Sequence, residues 1–507
     1  MRAWLFAGLL LFAGASAAYA VDASTPEPPL VKAVRTKDFA AAEQLLAKHA
    51  DVNRPSSDGT TALIWAVHNN NLDLVKELIK AGADVKAKND YGATAMSEAA
   101  ILADVNMVDT LLKAGVDVDS PNKYGQTALM VVARSNHVDT AKLLIKHGAK
   151  VDAVETWRGQ TALMWAAGQC QPEIARLLIK HGANVNQQGY INHWDRQVTA
   201  ERRAQWRSIG GMTPMLIAAR IGCVDVAKAL VEGGADVDMS DPENMTPMIM
   251  AVDNFHFDFA AYLMSQGADV NRWDWRGRTP LYLAVDLHTV PHGGRPDRPS
   301  DDKVTSYQMI EMLLKAGANP NAQLKLWPTY RNLKDDRGAD PMLTIGSTPL
   351  LRAAKAFDIP VMKLLLAHGA LPNLPNSLGI TPTMAAAGLG STTIDTRGYY
   401  TTEDVQEQSI AALKVMLAAG GEVNQKDQYG ETAIFGPAMW GWTKVVKYLA
   451  ENGAEIDIKD KQGQDLVAAA EGKAKRGFRR GGTGDAHPET VDYVKSLMPK
   501  TASSSPL

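Results

Sequence analysis

The sequence predicts an all-α repeat solenoid, on three observations. First, the phrase Gly-Ala-Asp-Val-Asn, in variants, recurs with its glycine at positions 82, 115, 148, 182, 234, 267, 317, 369, 420 and 453. Several of these intervals are 33 or 34 residues. Self-similarity at such a period marks units too small to bury a core alone, which stack on their neighbours instead. Second, a Thr stands at a fixed place in most units, and Pro follows it in Thr213-Pro214, Thr246-Pro247, Thr279-Pro280, Thr348-Pro349 and Thr381-Pro382. A hydroxyl cap with Pro at the first helical position opens a helix. Third, a second helix carries apolar spacing, as in Val75, Leu78 and Ile79 or Ala175, Leu177 and Leu178. The Gly of Gly-Ala-Asp then ends it at a left-handed cap.

From the N-terminus, Arg2, the apolar run 3–13 and Ala18-Tyr19-Ala20 have the order of a secretory signal peptide, 1–20, cleaved near Ala20. The run is too short to favour a membrane span of about 20 residues, and no later segment is long and apolar enough. Val21 in place of Cys argues against a lipid anchor. The predicted location is therefore the periplasm or the secreted fraction. Residues 21–56 form an N-terminal capping unit with a degenerate phrase, His49-Ala50-Asp51-Val52-Asn53. Regular units fill 57–189, 210–324 and 346–460, and a C-terminal capping unit spans 461–500, with Asp465 where Thr is expected. Capping units present more solvent-facing outer surfaces. A disordered tail, 501–507, closes the chain. Four intervals of 52, 50, 52 and 51 residues exceed 33 by 17–19, which places inserts at 190–209, 288–304, 325–345 and 389–406.

Within the units, Tyr91-Gly92, Tyr124-Gly125, Arg276-Gly277 and Tyr429-Gly430 set a glycine where a tight turn needs positive φ. Small pairs such as Ala218-Ala219 and Ala353-Ala354 allow close helix packing. This 33-residue pattern resembles the ankyrin repeat family over roughly residues 27–500. The resemblance implies about twelve stacked helix-turn-helix-hairpin units in a curved solenoid. It also implies that hairpin tips and first helices line a concave, partner-binding surface. The inserts 190–209 and 325–345 interrupt hairpins, whereas 288–304 and 389–406 fall between the helices of a unit, so together they could wall a groove on both sides.

Composition removes several functions. With 53 Lys+Arg against 56 Asp+Glu, the net charge of −3 gives no pull toward nucleic acid. Two cysteines are too few for a disulfide-rich scaffold or a conventional structural zinc site. Neither a nucleophile elbow, a phosphate-binding loop nor an HExxH motif occurs, and non-repeat pieces of about 20 residues are too short for a catalytic domain. His288 and His292 have i, i+4 spacing, but Pro291 and Gly293-Gly294 make that segment a loop. The leading expectation is a non-catalytic, cofactor-free, monomeric exported scaffold that binds another protein. It takes no nucleic acid and has no integral membrane segment. A carbohydrate or other small ligand held on Trp and Tyr rings is the alternative. An enzyme using His193, Asp195 or His288 is the third reading.

The candidate partner-binding residues are aromatic or arginine. Trp65 and Trp165 lie four residues after a capping Thr on first helices, and Tyr282 joins that surface. Tyr91, Tyr124, Trp157 and Trp275, with Trp273, map to hairpins; Trp194, Arg196 and Trp206, and Trp327 and Arg331, belong to inserts. Such rings offer contact area with a polar handle, and Arg binds carboxylates and stacks on rings. Packing between neighbouring hairpins is the competing role. Cys170 and Cys223 occupy nearly equivalent inter-helix turns of successive units and are a disulfide candidate if local geometry permits. His147, His181 and His368 repeat with the unit at helix C-termini. The run Lys473, Lys475, Arg476, Arg479 and Arg480 reads as a solvated loop.

Overall fold

The computed structural model describes residues 26–193, 209–289, 301–326, 342–390, 403–473 and 485–498. The expected signal peptide, most of each insert, the tail, and Trp194, Arg196, Trp206, Trp327 and Arg331 lie outside these residues. The described residues hold 24 α-helices, which pair in chain order as twelve units from Pro29–Arg35 with Phe39–Ala47 to Leu466–Ala470 with Pro488–Leu497. They contain no strand, only isolated antiparallel bridges at hairpins, such as Lys88 to Thr94 and Lys459 to Asp465. Contacts divide the chain into an N-terminal part, Met1–Trp165, and a C-terminal part, Ala166–Leu507. Within each part, first helices pack on neighbouring first helices and second helices on second helices.

Local chemistry explains the elements. The hydroxyls of Thr213, Thr246, Thr279, Thr348 and Thr381 each accept the N–H three residues on, at 3.1–3.3 Å, with Pro at the first helical position. Asp465 performs the same task in the last unit, accepting from Ala468 N at 2.9 Å. Second helices end in a Schellman arrangement. Gly82, at φ 88°, donates to Ile79 O, while Ala83 N donates to Leu78 O. A Cβ at Gly82 would meet nothing within 4 Å, so its φ alone demands glycine. In the degenerate first unit His49 accepts that strain at φ 58°.

The buried register of the second helix is i, i+1, i+4: Leu74, Val75 and Leu78, then Ile174, Ala175 and Leu178. Ile79 and Leu177, expected in the core, are only half-buried. Burying a Val or Leu side chain contributes about 1.5–3 kcal/mol, so this stripe holds the second helices onto the stack, whose first helices bury a larger set, Ala62, Leu63, Ile64, Ala66 and Val67 in one.

The last residue of the recurring phrase joins the units a second way. Asn53 accepts from Asp84 N at 2.6 Å and donates to Gly82 O at 3.0 Å. Asn271, Asn321, Asn373 and Asn424 repeat the pair of bonds to the following unit.

In the C-terminal part, the left-handed residue of one inter-helix turn touches the N-cap of the next second helix. A Cβ at Gly222 would fall 2.4 Å from the His256 ring, and at Gly441 2.5 Å from that of His487. Cys170, at φ 55°, and Cys223 fill these same two places and are joined by a disulfide with Cα atoms 5.5 Å apart. The two cysteines are thus offset by one residue within their units. That offset turns their Cβ atoms toward each other.

Candidate interaction surface

One side chain ties each hairpin tip. Asn89 Oδ1 accepts from Tyr91 N at 3.1 Å and Ala93 N at 2.8 Å, and Asn122 Oδ1 from Tyr124 N at 2.9 Å and Gln126 N at 3.1 Å. Glu155 does the same work for Trp157, Arg158 and Gln160 at 2.6–3.0 Å. Gly92 has φ 75°, and a Cβ there would stand 2.7 Å from Lys123 of the next tip, so both backbone and close approach require glycine. These rigid turns hold Tyr91, Tyr124 and Trp157 out at 63%, 52% and 72% exposure. Their 33-residue spacing makes them one row along the N-terminal part.

Cations accompany the rings. Lys123 Nζ lies 4.9 Å from the Tyr124 centroid, and the Arg158 guanidinium 4.3 Å from that of Trp157. On the first helices, Trp65 and Trp165 are half-buried, with Arg134 5.3 Å over Trp165 and His68 edge-on to Trp65 at 5.3 Å. His68 Nδ1 is 3.0 Å from Glu98 Oε2. Between Tyr91 and Tyr124 lies a cleft of about 180 Å³, lined also by Glu98, Ile101 and Arg134.

The C-terminal part differs. Lys325 sits 4.1 Å over exposed Trp273, and Arg276 4.1 Å over half-buried Trp275. Trp273 and Lys325 border a recess of about 440 Å³ with Asn271, Thr279, Asn319 and Gln323. The first helices and the hairpins that precede them carry buried charge. Arg278 Nε lies 2.6 Å from Asp274 and Nη1 3.5 Å from Asp253, while Arg352 pairs with Asp286 at 2.5 Å and Lys355 is 0% exposed. Burial opposes the Arg278 charge, but Asp253 and Asp274 reverse the balance and hold its pKa above the ordinary value. Arg276 moves the other way, through burial and the neighbouring Arg278. His288 Nδ1 meets Ser306 Oγ at 2.8 Å and Nε2 meets Asp358 at 3.3 Å. Those three have the atom order of a nucleophile–base–acid relay. Their positions explain them as a clasp: His288 ends one helix, Ser306 begins the next, and Asp358 also caps a third through Val361 N.

The family model described as "Ankyrin repeats (3 copies)" matches residues 30–122, 96–189, 198–274 and 215–324, and the single "Ankyrin repeat" matches 345–377. The chain belongs to the ankyrin repeat family. Among solved structures, the human ASB11 ankyrin repeat domain is similar at 20% identity, covering 47% of this chain and 97% of that one, with a TM-score of 0.39. Among the described residues no helix of this ankyrin-repeat chain is long and apolar enough to cross a membrane.

Ankyrin-repeat numbering sorts the expected site residues. Trp65 and Trp165 follow their capping Thr by four residues and stay partly open. Tyr282 follows Thr279 by three, a shift of one residue that rotates the side chain about 100° into the core, and it is 1% exposed. Its expected place on the binding surface is therefore corrected: its equivalents Leu216, Ile249 and Leu351 are core residues too. Trp440 and Trp442, at the inter-helix turn, are also buried, stacked at 5.9 Å with Trp440 Nε1 donating to Gly388 O. His181 and His368 bond the carbonyls of Leu177 and Leu364 at helix ends, the structural role expected of them. Sequence reasoning missed the tip-tying Asn89, Asn122 and Glu155. Their signal was present as an acceptor side chain three or four residues before each hairpin glycine.

Proposed function

We propose that this protein is an exported, non-catalytic ankyrin-repeat scaffold that binds another protein through its hairpin tips and first helices, with the inserts flanking that surface. The observation that carries the reading is the exposed row Tyr91, Tyr124 and Trp157 on rigid turns. Exposed rings at fixed spacing cost solvation and add nothing to a core, whereas ordered aromatic anchors dominate protein interfaces. The leader-like first 20 residues support export, and the Cys170–Cys223 disulfide suits an oxidising compartment. N-terminal sequencing of protein from the periplasmic fraction should begin at Val21; a mature chain that retains Met1 in the cytoplasm rejects export. Affinity capture with mature protein should retain a specific protein at least about tenfold better than with Tyr124→Ser/Trp157→Ala. Equal retention by that variant, at unchanged helicity, rejects this surface.

A second reading has its own observation. The recess beside Trp273, about 440 Å³, falls within the roughly 300–1,000 Å³ of small-ligand sites. Its amide side chains and indole suit a sugar ring. Quenching of tryptophan fluorescence by saccharides, lost on Trp273→Ala, would establish it; an unchanged spectrum across a saccharide panel dismisses it.

A further inference from the structure

We propose that the N-terminal part docks an extended acidic and apolar segment of a partner protein, with an apolar side chain between Tyr91 and Tyr124 and carboxylates against Lys123, Arg134 and Arg158. This deepens the protein-binding reading above and rests on it. The cleft decides the size of the occupant. At about 180 Å³ it lies below the small-ligand range and suits one side chain of a longer chain, seated on Ile101 and the two tyrosine rings.

Spacing decides the conformation. Neighbouring packed units are separated by about 8–10 Å, and an extended chain advances about 3.3 Å per residue. A segment lying along Tyr91, Tyr124 and Trp157 therefore meets a ring with every third residue. Charge decides the polarity. The first tips and helices present Asp58, Asp90 and Glu98, the last of these already paired with His68. Beyond them the surface turns basic, with Lys123, Arg134 and Arg158 each held over a ring. None of the three is engaged in an ion pair among the described residues. A guanidinium stacked on a ring keeps its N–H edge for a carboxylate, which a bidentate contact then uses. The acidic residues of the segment thus lie toward Trp157 and its leading apolar residue toward Tyr91.

The test uses the full mature chain and two fluorescein-labelled peptides, Gly-Glu-Phe and Gly-Lys-Phe each repeated four times. Anisotropy should show the Glu peptide binding at least about tenfold tighter than the Lys peptide, and weakening as salt rises. Lys123→Glu/Arg134→Glu should invert that preference, and Tyr91→Ser/Tyr124→Ser should weaken the Glu peptide about tenfold, while Leu371→Ser, at an exposed position of the C-terminal part, leaves it unchanged. All five substituted positions are exposed, so helicity should be retained and is checked for each variant. Equal affinity for both peptides, binding to neither, indifference to both double variants, or displacement by alginate in preference to the Glu peptide overturns the proposal. A partner protein that is released by changes in the C-terminal part, but not by Tyr91→Ser/Tyr124→Ser, would overturn it while leaving the scaffold reading intact.

Discussion

At the scale of single residues, Asp238 is an informative exception, one of several aspartates at its place in the recurring phrase, Asp119 among them. It stands where Asn53, Asn271, Asn321, Asn373 and Asn424 stand in other units, and like them it accepts a backbone N–H, that of Asp269 at 3.0 Å. As a carboxylate it cannot donate to the Gly267 carbonyl as those amides donate to theirs. Burial, opposed by the Asp269 bond, holds its carboxyl above the ordinary range. The folded protein therefore binds that proton more tightly than the unfolded chain, and stability falls as pH rises from the ordinary aspartate range through the raised value. Asp238→Asn should supply the missing donor and remove that slope. A gain of about 1 kcal/mol by urea denaturation is expected at neutral pH, shrinking as the medium is acidified. A loss at neutral pH would show that this place does not admit the amide's second bond. Such distinctions were half legible in the sequence: the recurring phrase displayed its final Asn or Asp, but only the stacking of units gives each atom a partner. Tyr282 teaches the same lesson from the opposite side, since one helical step separates an open ring from a core one.

At the scale of elements, caps and turns followed their residue chemistry closely, because a Thr-Pro start and a glycine stop act through bonds three or four residues away. The first helices Pro247–Asp253, Pro280–His288 and Pro349–Lys355 were less readable. Asp253, Arg278, Asp286, Arg352 and Lys355 look like surface residues in a linear reading, yet most of these side chains are shielded from water. Some of their partners come from other units, as with Arg352 and Asp286, 66 residues apart, and Arg278 and Asp253, while Arg278 also pairs with Asp274 of its own hairpin. Removing one member of such a group strands the others. Arg278→Ala is expected to destabilise this region by about 3–5 kcal/mol, seen as a local loss of hydrogen-exchange protection over 246–288. A change below 1 kcal/mol would mean that water replaces the guanidinium. The disulfide belongs here too. Sequence placed its cysteines at neighbouring turns, and the left-handed φ of Cys170 brings them to 5.5 Å between Cα atoms.

At the scale of the whole molecule, stability is a sum over units and their neighbours, so a staple matters most where it spans an interruption. The Cys170–Cys223 link closes 53 residues that include the insert 190–209. Loop-closure entropy for that length gives about 4 kcal/mol. Cys170→Ser/Cys223→Ser, or reduction, should therefore lower the unfolding midpoint of the flanking units, and an unchanged midpoint would show that packing alone holds them. The amino-acid order by itself determined the period, the helix starts and stops, the number of units and the four long intervals between recurring phrases. Those features arise from contacts within about one period, where residue type dictates geometry. Tertiary structure alone decided which rings stay open, which charges are buried and which turns are bridged. Each of those outcomes depends on what the neighbouring unit places opposite a side chain, and no local pattern records it.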